Sequence, residues 1–403
     1  MFDSIYVGLT GLLGFSRNLT IIGNNVANLN TPGYKGSQLL FSDLFYRTQF
    51  SDSNRDGSNA RLDIGSGLGT NTTRLLFAQG ELKQTGNDQD VAITGNGFFV
   101  LRQGDKTFYT RAGQFSFDAD GYLVSQSQQN ARVAALVGGQ LQDINILGLR
   151  TNGGKATTKV SFSGILDAST TNTTPFDVTG IQVFDASGVS HTLTATFTNN
   201  SVVVAGSWLV DVKDDKGNVI TSGEIRFNTD GTPAVAFNSF DVTLPGSSNL
   251  VQFFFGDPGS AAGAQSLTSS SSSLAVSSQD GFGAGSLTRA TFDDSGMLVL
   301  TYSNGQTSNV DQLALASFNF LQGLQEAGGN EFVSAAKEEP LLGVAKEGPF
   351  GVITGGSLEL ANVDLASQFS DLIITQRGYQ ASSQVISTAN DMIQSLYDMK
   401  AKR

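Results

Sequence analysis

Two hydrophobic stripes of the same period stand at opposite ends of the chain, and neither has a partner near it in sequence. At the N-terminus Ile5, Leu9, Leu12, Ser16, Leu19, Gly23 and Val26 are spaced alternately four and three apart, with Leu13 and Ile22 widening the stripe. At the C-terminus Leu365, Phe369, Leu372, Gln376, Tyr379, Ser383, Ile386, Asn390, Ile393 and Tyr397 repeat that spacing. Alternating steps of four and three turn one face of an α-helix toward a partner helix. At ~1.5 Å per residue the stripes run for about 33 and 50 Å. The economical arrangement pairs the two ends with each other as a coiled coil, or packs them on copies from other subunits.

Neither helix is built to stand alone. Gly8, Gly11, Gly14 and Gly23 fall in the first stripe, each costing about 1 kcal/mol relative to Ala. Ser16, Gln376, Ser383 and Asn390 put polar groups on the seams. Residues 1–30 and 360–403 are therefore expected to be disordered in the monomer and to fold on assembly.

The chain between the ends reads as β. A phrase recurs at Phe117–Gly121, Phe184–Gly188, Phe227–Gly231 and Phe292–Gly296: Phe, then Asp or Asn, then Gly four residues after the Phe. Lys213-Asp-Asp-Lys-Gly217 is a fifth turn of similar kind. Asp or Asn with a Gly able to take positive φ, flanked by strand formers, marks a tight connection between strands. Leu193-Thr-Ala-Thr-Phe197 and, less strictly, Trp208-Leu-Val-Asp-Val212 alternate at period two. The fold class expected is mainly β with α-helical termini, carrying two nested β-sandwich or barrel-like domains.

Composition shifts place the boundaries. The terminal helical domain takes 1–30 and 360–403, and an extended linker or arm takes 31–72 and 340–359. A first β domain takes 73–145 and 283–339, and an inserted second β domain takes 146–282. Residues 51–72 are polar and Gly-rich, and 256–285 include the run Ser269–Ser273, read as a mobile loop or a return crossing.

Enzyme classes are discouraged by what is scarce. The chain has no Cys and a single His, His191, which removes disulfides, thiolate metal sites, cysteine nucleophiles and multi-histidine centres. Asp118-Ala-Asp120-Gly121 opens like a calcium loop, but the twelfth position is Gln129 and not an acid. Gly65–Gly69 and Gly281–Gly285 lack the spacing and the Lys of nucleotide loops. His191 shares strand parity with Leu193, Ala195 and Phe197 and reads as a partly buried strand residue with a satisfied hydrogen bond. No catalytic residue, metal ligand or cofactor-binding residue is assigned. The net charge of −12 argues against nucleic acid, and no run of about 18 apolar residues is present to span a membrane. Asp3 stands where a secretory signal is basic, and no cleavage site of that type follows.

The most specific segment follows the first stripe: Gly23-Asn24-Asn25-Val26-Ala27-Asn28-Leu29-Asn30-Thr31-Pro32-Gly33-Tyr34-Lys35. Physically it is a helix end followed by an exit turn. Its defined positions, Ala27, Asn28, Thr31, Gly33, Tyr34 and Lys35, closely resemble the signature of the axial flagellar family of rod, hook and hook-associated proteins. Ser357–Leu365, with Asn362, Val363, Asp364 and Leu365, leading to Gln376-Arg377-Gly-Tyr379-Gln380, is similar to that family's C-terminal helix. Asp90–Leu101 and Tyr109–Phe115 resemble its shared β domain. The long insert, Val183–His191 within it and Phe41–Phe45 are similar to the hook branch; the shorter distal rod branch is the alternative, together with other hook-like axial components.

The resemblance implies a structural homopolymer, extracellular in the bacterial flagellum, exported by the type III path without a cleaved signal peptide. It forms a curved, flexible tube that couples rod to filament and transmits torque. It implies assembly roles for Asn24, Asn25 and the motif residues at both ends. Its implied partners are the distal rod protein, the hook cap, the hook–filament junction protein and the export apparatus. Some hooks of the family cross-link subunits through a Cys, which this chain lacks.

Overall fold

The computed structural model describes residues 2–44, 46–50, 61–65, 67–127, 131–169, 174–244, 249–268, 271–334 and 339–401. All of 51–60, Ser66, Gln129, Ser269 and Ser270 lie outside the described residues. The chain is mainly β, with one helix at each end: α1 (Phe2–Ala27) and α2 (Leu365–Ala401). It divides into two compact units. The first comprises Met1–Leu147, Ala290–Val299 and Asn309–Arg403; the second comprises Gly148–Arg289 and Leu300–Ser308.

In the first unit, Phe98-Phe-Val-Leu101 is buried at all four positions, as a strand covered on both faces must be. Strand Phe98–Gln103 pairs with Lys106–Thr110, Arg132–Val137 and Leu315–Ser317. Edge-to-face contacts join Phe77 to Phe98 and Phe332, and Tyr109 to Phe318, with ring centroids 4.8–5.8 Å apart. The segment expected as a linker at 340–359 instead forms strands of this body. Leu341–Gly343 pairs with Leu315–Ser317, Val352–Gly355 with Val91–Thr94, and Ser357–Glu359 with Leu82–Gln84. Its few apolar residues suffice, because Val344, Ala345, Phe350, Ile353 and Leu358 are all buried. The early part of the expected arm is a ribbon: Ser37–Asp43 pairs antiparallel with Leu68–Leu75, and Tyr46–Phe50 with Arg61–Gly65.

The second unit packs two sheets. One is an antiparallel meander of Phe176–Phe184, Ser190–Asn199, Ser207–Lys213 and Val219–Arg226. The alternating runs do what their period demands: Leu193, Ala195 and Phe197, and Trp208, Val210 and Val212, are all buried on the inner face. The other sheet centres on Lys159–Asp167, which pairs parallel with Leu250–Phe254 and Ala264–Leu267 and antiparallel with Ala275–Gln279. Phe162, Phe197, Phe253 and Phe255 meet in the core, with Phe162 stacked on Phe255 at 4.8 Å. Two of these strands lie in the stretch read as a loop at 256–285. Ala264 and Leu274 are drawn into the core despite the Gly and Ser around them.

The recurrent turns share one geometry. At Asp118, Asp185, Asp214, Asn228 and Asp293 the backbone carbonyl accepts the N–H of the Gly three residues on. The backbone N–H of the same residue donates to the carbonyl four residues on. The glycines take φ of 78–83°, which a side chain resists, so this turn needs Gly. Asp118 Oδ1 accepts the Tyr122 N–H at 2.7 Å, so this acid closes a hairpin. His191 Nε2 lies 3.3 Å from Asp185 Oδ2 on a partly buried strand, in agreement with its sequence reading.

Asp280 clasps the two ends of the second unit. Its Oδ1 accepts the N–H groups of Thr158 and Lys159 at 2.8 and 2.9 Å, and its Oδ2 accepts the Thr158 hydroxyl at 2.6 Å. Burial acts to raise the carboxyl, but these donors and Lys155 outweigh it and hold the pKa at about 2. With the folded value below the unfolded one of 3.8, the contribution is present above pH 4 and lost as pH falls through 2. The side chain is 35% exposed, so screening limits the effect to about 1 kcal/mol. Asp280→Asn is expected to lower the unfolding free energy of this unit at pH 7 by that amount and to flatten its acid dependence between pH 4 and 2. The single tryptophan, Trp208, lies in this core, so its fluorescence reads the transition directly.

Candidate assembly site at the meeting of the chain ends

Helix α1 ends where its side chains begin to compete for the backbone. Asn28 Nδ2 donates to the Asn24 carbonyl and side-chain oxygens at 2.9 and 3.0 Å, and Thr31 Oγ1 donates to Asn28 Oδ1 at 3.2 Å. Ala27 closes the helix, and Thr31-Pro32-Gly33 turns the chain away. Gly33 has φ of 71°, and a Cβ there would stand 2.4 Å from the Ala112 nitrogen. No other residue fits that approach. The Gly33 N–H donates to the Glu359 carbonyl at 2.8 Å, which brings the C-terminal strand alongside the motif.

Lys35 follows, with its side chain 1% exposed. Its Nζ lies 2.6 Å from Glu359 Oε1 and donates to the Ala78 carbonyl at 2.9 Å. The Arg111 guanidinium reaches the other oxygen, Glu359 Oε2, at 3.2 Å and the Gly95 carbonyl at 2.7 Å. The Gly80 N–H completes the shell of Glu359 at 2.9 Å. Burial pushes both Lys35 and Arg111 below their ordinary ranges, and the Glu359 carboxylate works against the shift in each case. Three buried charges from residues 35, 111 and 359 thus hold one another in place.

Two asparagines sew the remaining edges. Asn25 donates to the Ser37 carbonyl at 2.9 Å and to Gln368 Oε1 at 3.0 Å. Its Oδ1 accepts the Ser37 N–H and the Tyr34 hydroxyl at 3.0 and 3.2 Å. The four hydrogen-bonding positions of the amide are filled. Asn362 accepts the Gly36 N–H at 2.8 Å and donates to the Leu76 and Ala78 carbonyls. Val363 stands against Gly36, and Asp364 caps α2 by accepting the Ser367 N–H at 2.8 Å.

The two helices lie antiparallel, and the contact includes Ile386 of the expected seam but otherwise runs along a stripe one residue before it on each helix. Gly8 faces Ile386, Gly11 faces Ser382, and Phe15 faces Gly378. Asn18 Nδ2 donates to the Thr375 hydroxyl at 2.8 Å, and Asn25 bonds Gln368. Small residues let the backbones approach, and the amides bond across the gap, so this face closes more tightly than the aliphatic one. Leu9 and Phe369 remain about half exposed. Ile5, Leu12, Leu19 and Val26 are partly covered. Leu372, Ile386 and Ile393 are partly covered too, while Ser16, Gly23, Ser383, Asn390 and Tyr397 face solvent.

The structure therefore brings Asn24, Asn25, Asn28, Thr31, Gly33, Tyr34, Lys35, Asn362, Val363 and Asp364 to one junction. Leu365, Gln376, Arg377, Tyr379 and Gln380 are not part of it: they are exposed on α2, where Arg377 donates to Gln380 at 3.4 Å. Sequence reasoning missed Arg111, Glu359 and Asn330, whose Nδ2 donates to the Pro32 carbonyl at 3.1 Å. The available signal was a charge inside a run that otherwise reads as buried strand, as in Thr110-Arg111-Ala112 and Leu358-Glu359-Leu360.

Comparison with known proteins assigns these segments. Residues 5–35 match the family described as flagella basal body rod protein, and 92–149 match the flagellar hook protein FlgE/F/G D1 domain. Residues 354–399 match the flagellar basal body rod FlgEFG protein C-terminal family. Both halves of the junction thus fall in segments shared by the axial proteins of the bacterial flagellum. The flagellar hook protein FlgE of Borreliella burgdorferi is 30% identical, over 99% of this chain and all of its own length. That of Treponema pallidum is 30% identical over 99% of this chain and all of its own, and that of Escherichia coli 27% identical over 97% and 98%. The chain belongs to the flagellar hook protein family.

Proposed function

We propose that the chain is the structural subunit of a flagellar hook, polymerising into a short curved tube that joins rod to filament and carries torque between them. Its likeness to hook proteins along nearly the full length, second unit included, carries this reading. The junction of the chain ends gives it a physical basis. A buried ion cluster fixes the base of the helix pair, while aliphatic side chains on both helices stay uncovered for neighbouring copies. In this reading the pair acts as a coiled coil and lines the tube, and the two β units, the second nested in the first, form its outer layers.

Only 15% of residues are charged, so contacts between outer units are weak and few ion pairs resist their sliding as the tube bends. The subunit leaves the cell through the flagellar export path without signal cleavage. It meets the distal rod protein at one end of the tube, the hook–filament junction protein at the other, and the cap during growth. Electron microscopy of basal bodies from a strain lacking the gene is expected to show complete rods without hooks. Absent or shortened rods would assign the chain to the distal rod instead.

A further inference from the structure

The ribbon formed by Ser37–Asp43 and Leu68–Leu75 carries a cation on one face and borders an acidic cleft on the other. Ser37 pairs with Leu75 and Leu39 with Thr73, so these side chains share one face; Gln38 with Arg74 and Leu40 with Thr72 share the other. Thr73 and Leu75, together with Ile21 and Asn24 of α1, line a cleft of about 670 Å³ that also holds Glu326. The Glu326 carboxylate meets no cation among the described residues, and partial burial in the cleft raises its pKa. On the opposite face Arg74 bonds only the amide oxygen of Gln38 at 3.2 Å and meets no carboxylate among the described residues. Leu40 beside it is 39% exposed.

One face thus offers a cation next to an apolar side chain, and the other an anion in a largely polar cleft that also presents Ile21 and Leu75. Complementary patches on opposite faces of one molecule cannot satisfy each other within a chain or in a two-fold dimer. They fit a head-to-tail contact that repeats from copy to copy. We infer that Arg74 and Leu40 of one copy dock in the Glu326 cleft of the next copy of this chain, with Arg74 paired to Glu326 and Leu40 against Ile21 and Leu75. This inference rests on the homopolymer reading and names a contact within it. An ion pair at the centre of such a contact sets register and orientation and weakens with salt.

The test is self-assembly of the purified full chain, read by sedimentation and electron microscopy, with circular dichroism confirming that each variant is folded. Arg74→Glu and Glu326→Arg are each expected to raise the critical concentration for assembly at least tenfold. The double variant restores the pair in reverse and is expected to return to within about threefold of the wild type. An equimolar mixture of the two single variants is expected to co-assemble, because each supplies the charge that the other's contact needs. Single variants that assemble like the wild type, or a folded double variant as defective as the singles, overturn the docking while leaving the homopolymer reading intact. A wild-type chain that stays monomeric under all conditions overturns both.

Discussion

Glu359→Gln is expected to destabilise the first unit by about 3–5 kcal/mol, the cost of breaking a buried ion cluster by removing one partner. The substitution keeps the shape of the side chain and its contact with the Gly80 N–H but leaves Lys35 and Arg111 without their counter-charge, and both are almost fully buried. Their lowered pKa values show the cost of burial that Glu359 offsets. Urea unfolding followed by far-ultraviolet circular dichroism reads the loss. Trp208 fluorescence, which reports only the second unit, is expected to keep its wild-type midpoint. Lys35→Met together with Glu359→Gln is expected to cost at least 1 kcal/mol less than the sum of the single changes, since neighbours in one cluster are not additive. A loss below 1 kcal/mol for Glu359→Gln would show that water reaches the cluster and screens it.

Removing α2 by ending the chain after Asp364 is expected to abolish polymerisation while leaving both β units folded. The strands that close the first unit end at Glu359, and the Lys35–Glu359–Arg111 cluster and the Asn362 bonds are retained. What is lost is the partner of the small-residue stripe on α1 and the exposed apolar side chains of α2, including Phe369, Ile373 and Ile374. Sedimentation is expected to find only monomer at concentrations where the full chain forms tubes. Circular dichroism is expected to retain the β signal and lose the helical one. Tubes formed by the truncated chain would place the polymer contacts in the β units alone.

How far the sequence could be read depended on the range of each interaction. Local signals carried: the Asp/Asn-to-Gly turns, the alternation at Leu193–Phe197 and the parity of His191 each depend on a few neighbouring residues. Pairing partners did not carry. The alternation shows which side chains of Leu193–Phe197 face a core, but no local pattern shows that Lys159–Asp167 runs parallel to Leu250–Phe254 and Ala264–Leu267. Nor did the pattern place strands in 256–285, where Ser and Gly hide the few buried positions.

At the junction, Lys35 stood out within its motif, yet Glu359 lies 324 positions away and only the fold makes them a pair. The helix seam shows a different limit. A heptad count weights apolar residues and so selects Leu9, Leu12 and Leu19. Close packing instead favours Gly8, Gly11 and Gly378, with amide bonds from Asn18 and Asn25. In the proposed polymer, the part of the hydrophobic stripe that stays exposed, such as Leu9, Leu13 and Phe369, is the surface left for other copies, and the small, polar stripe holds the partner within the chain.

That division between the two stripes is directly measurable, because the chain has no native cysteine. Cysteines placed together at Asn18 and Thr375, whose side chains bond at 2.8 Å, can be oxidised in assembled tubes and resolved on a denaturing gel. Bonds within single chains are expected, seen as a faster-migrating monomer band that returns to normal mobility on reduction. A ladder of cross-linked dimers and higher species, with little looped monomer, would show instead that each helix takes its partner from another copy.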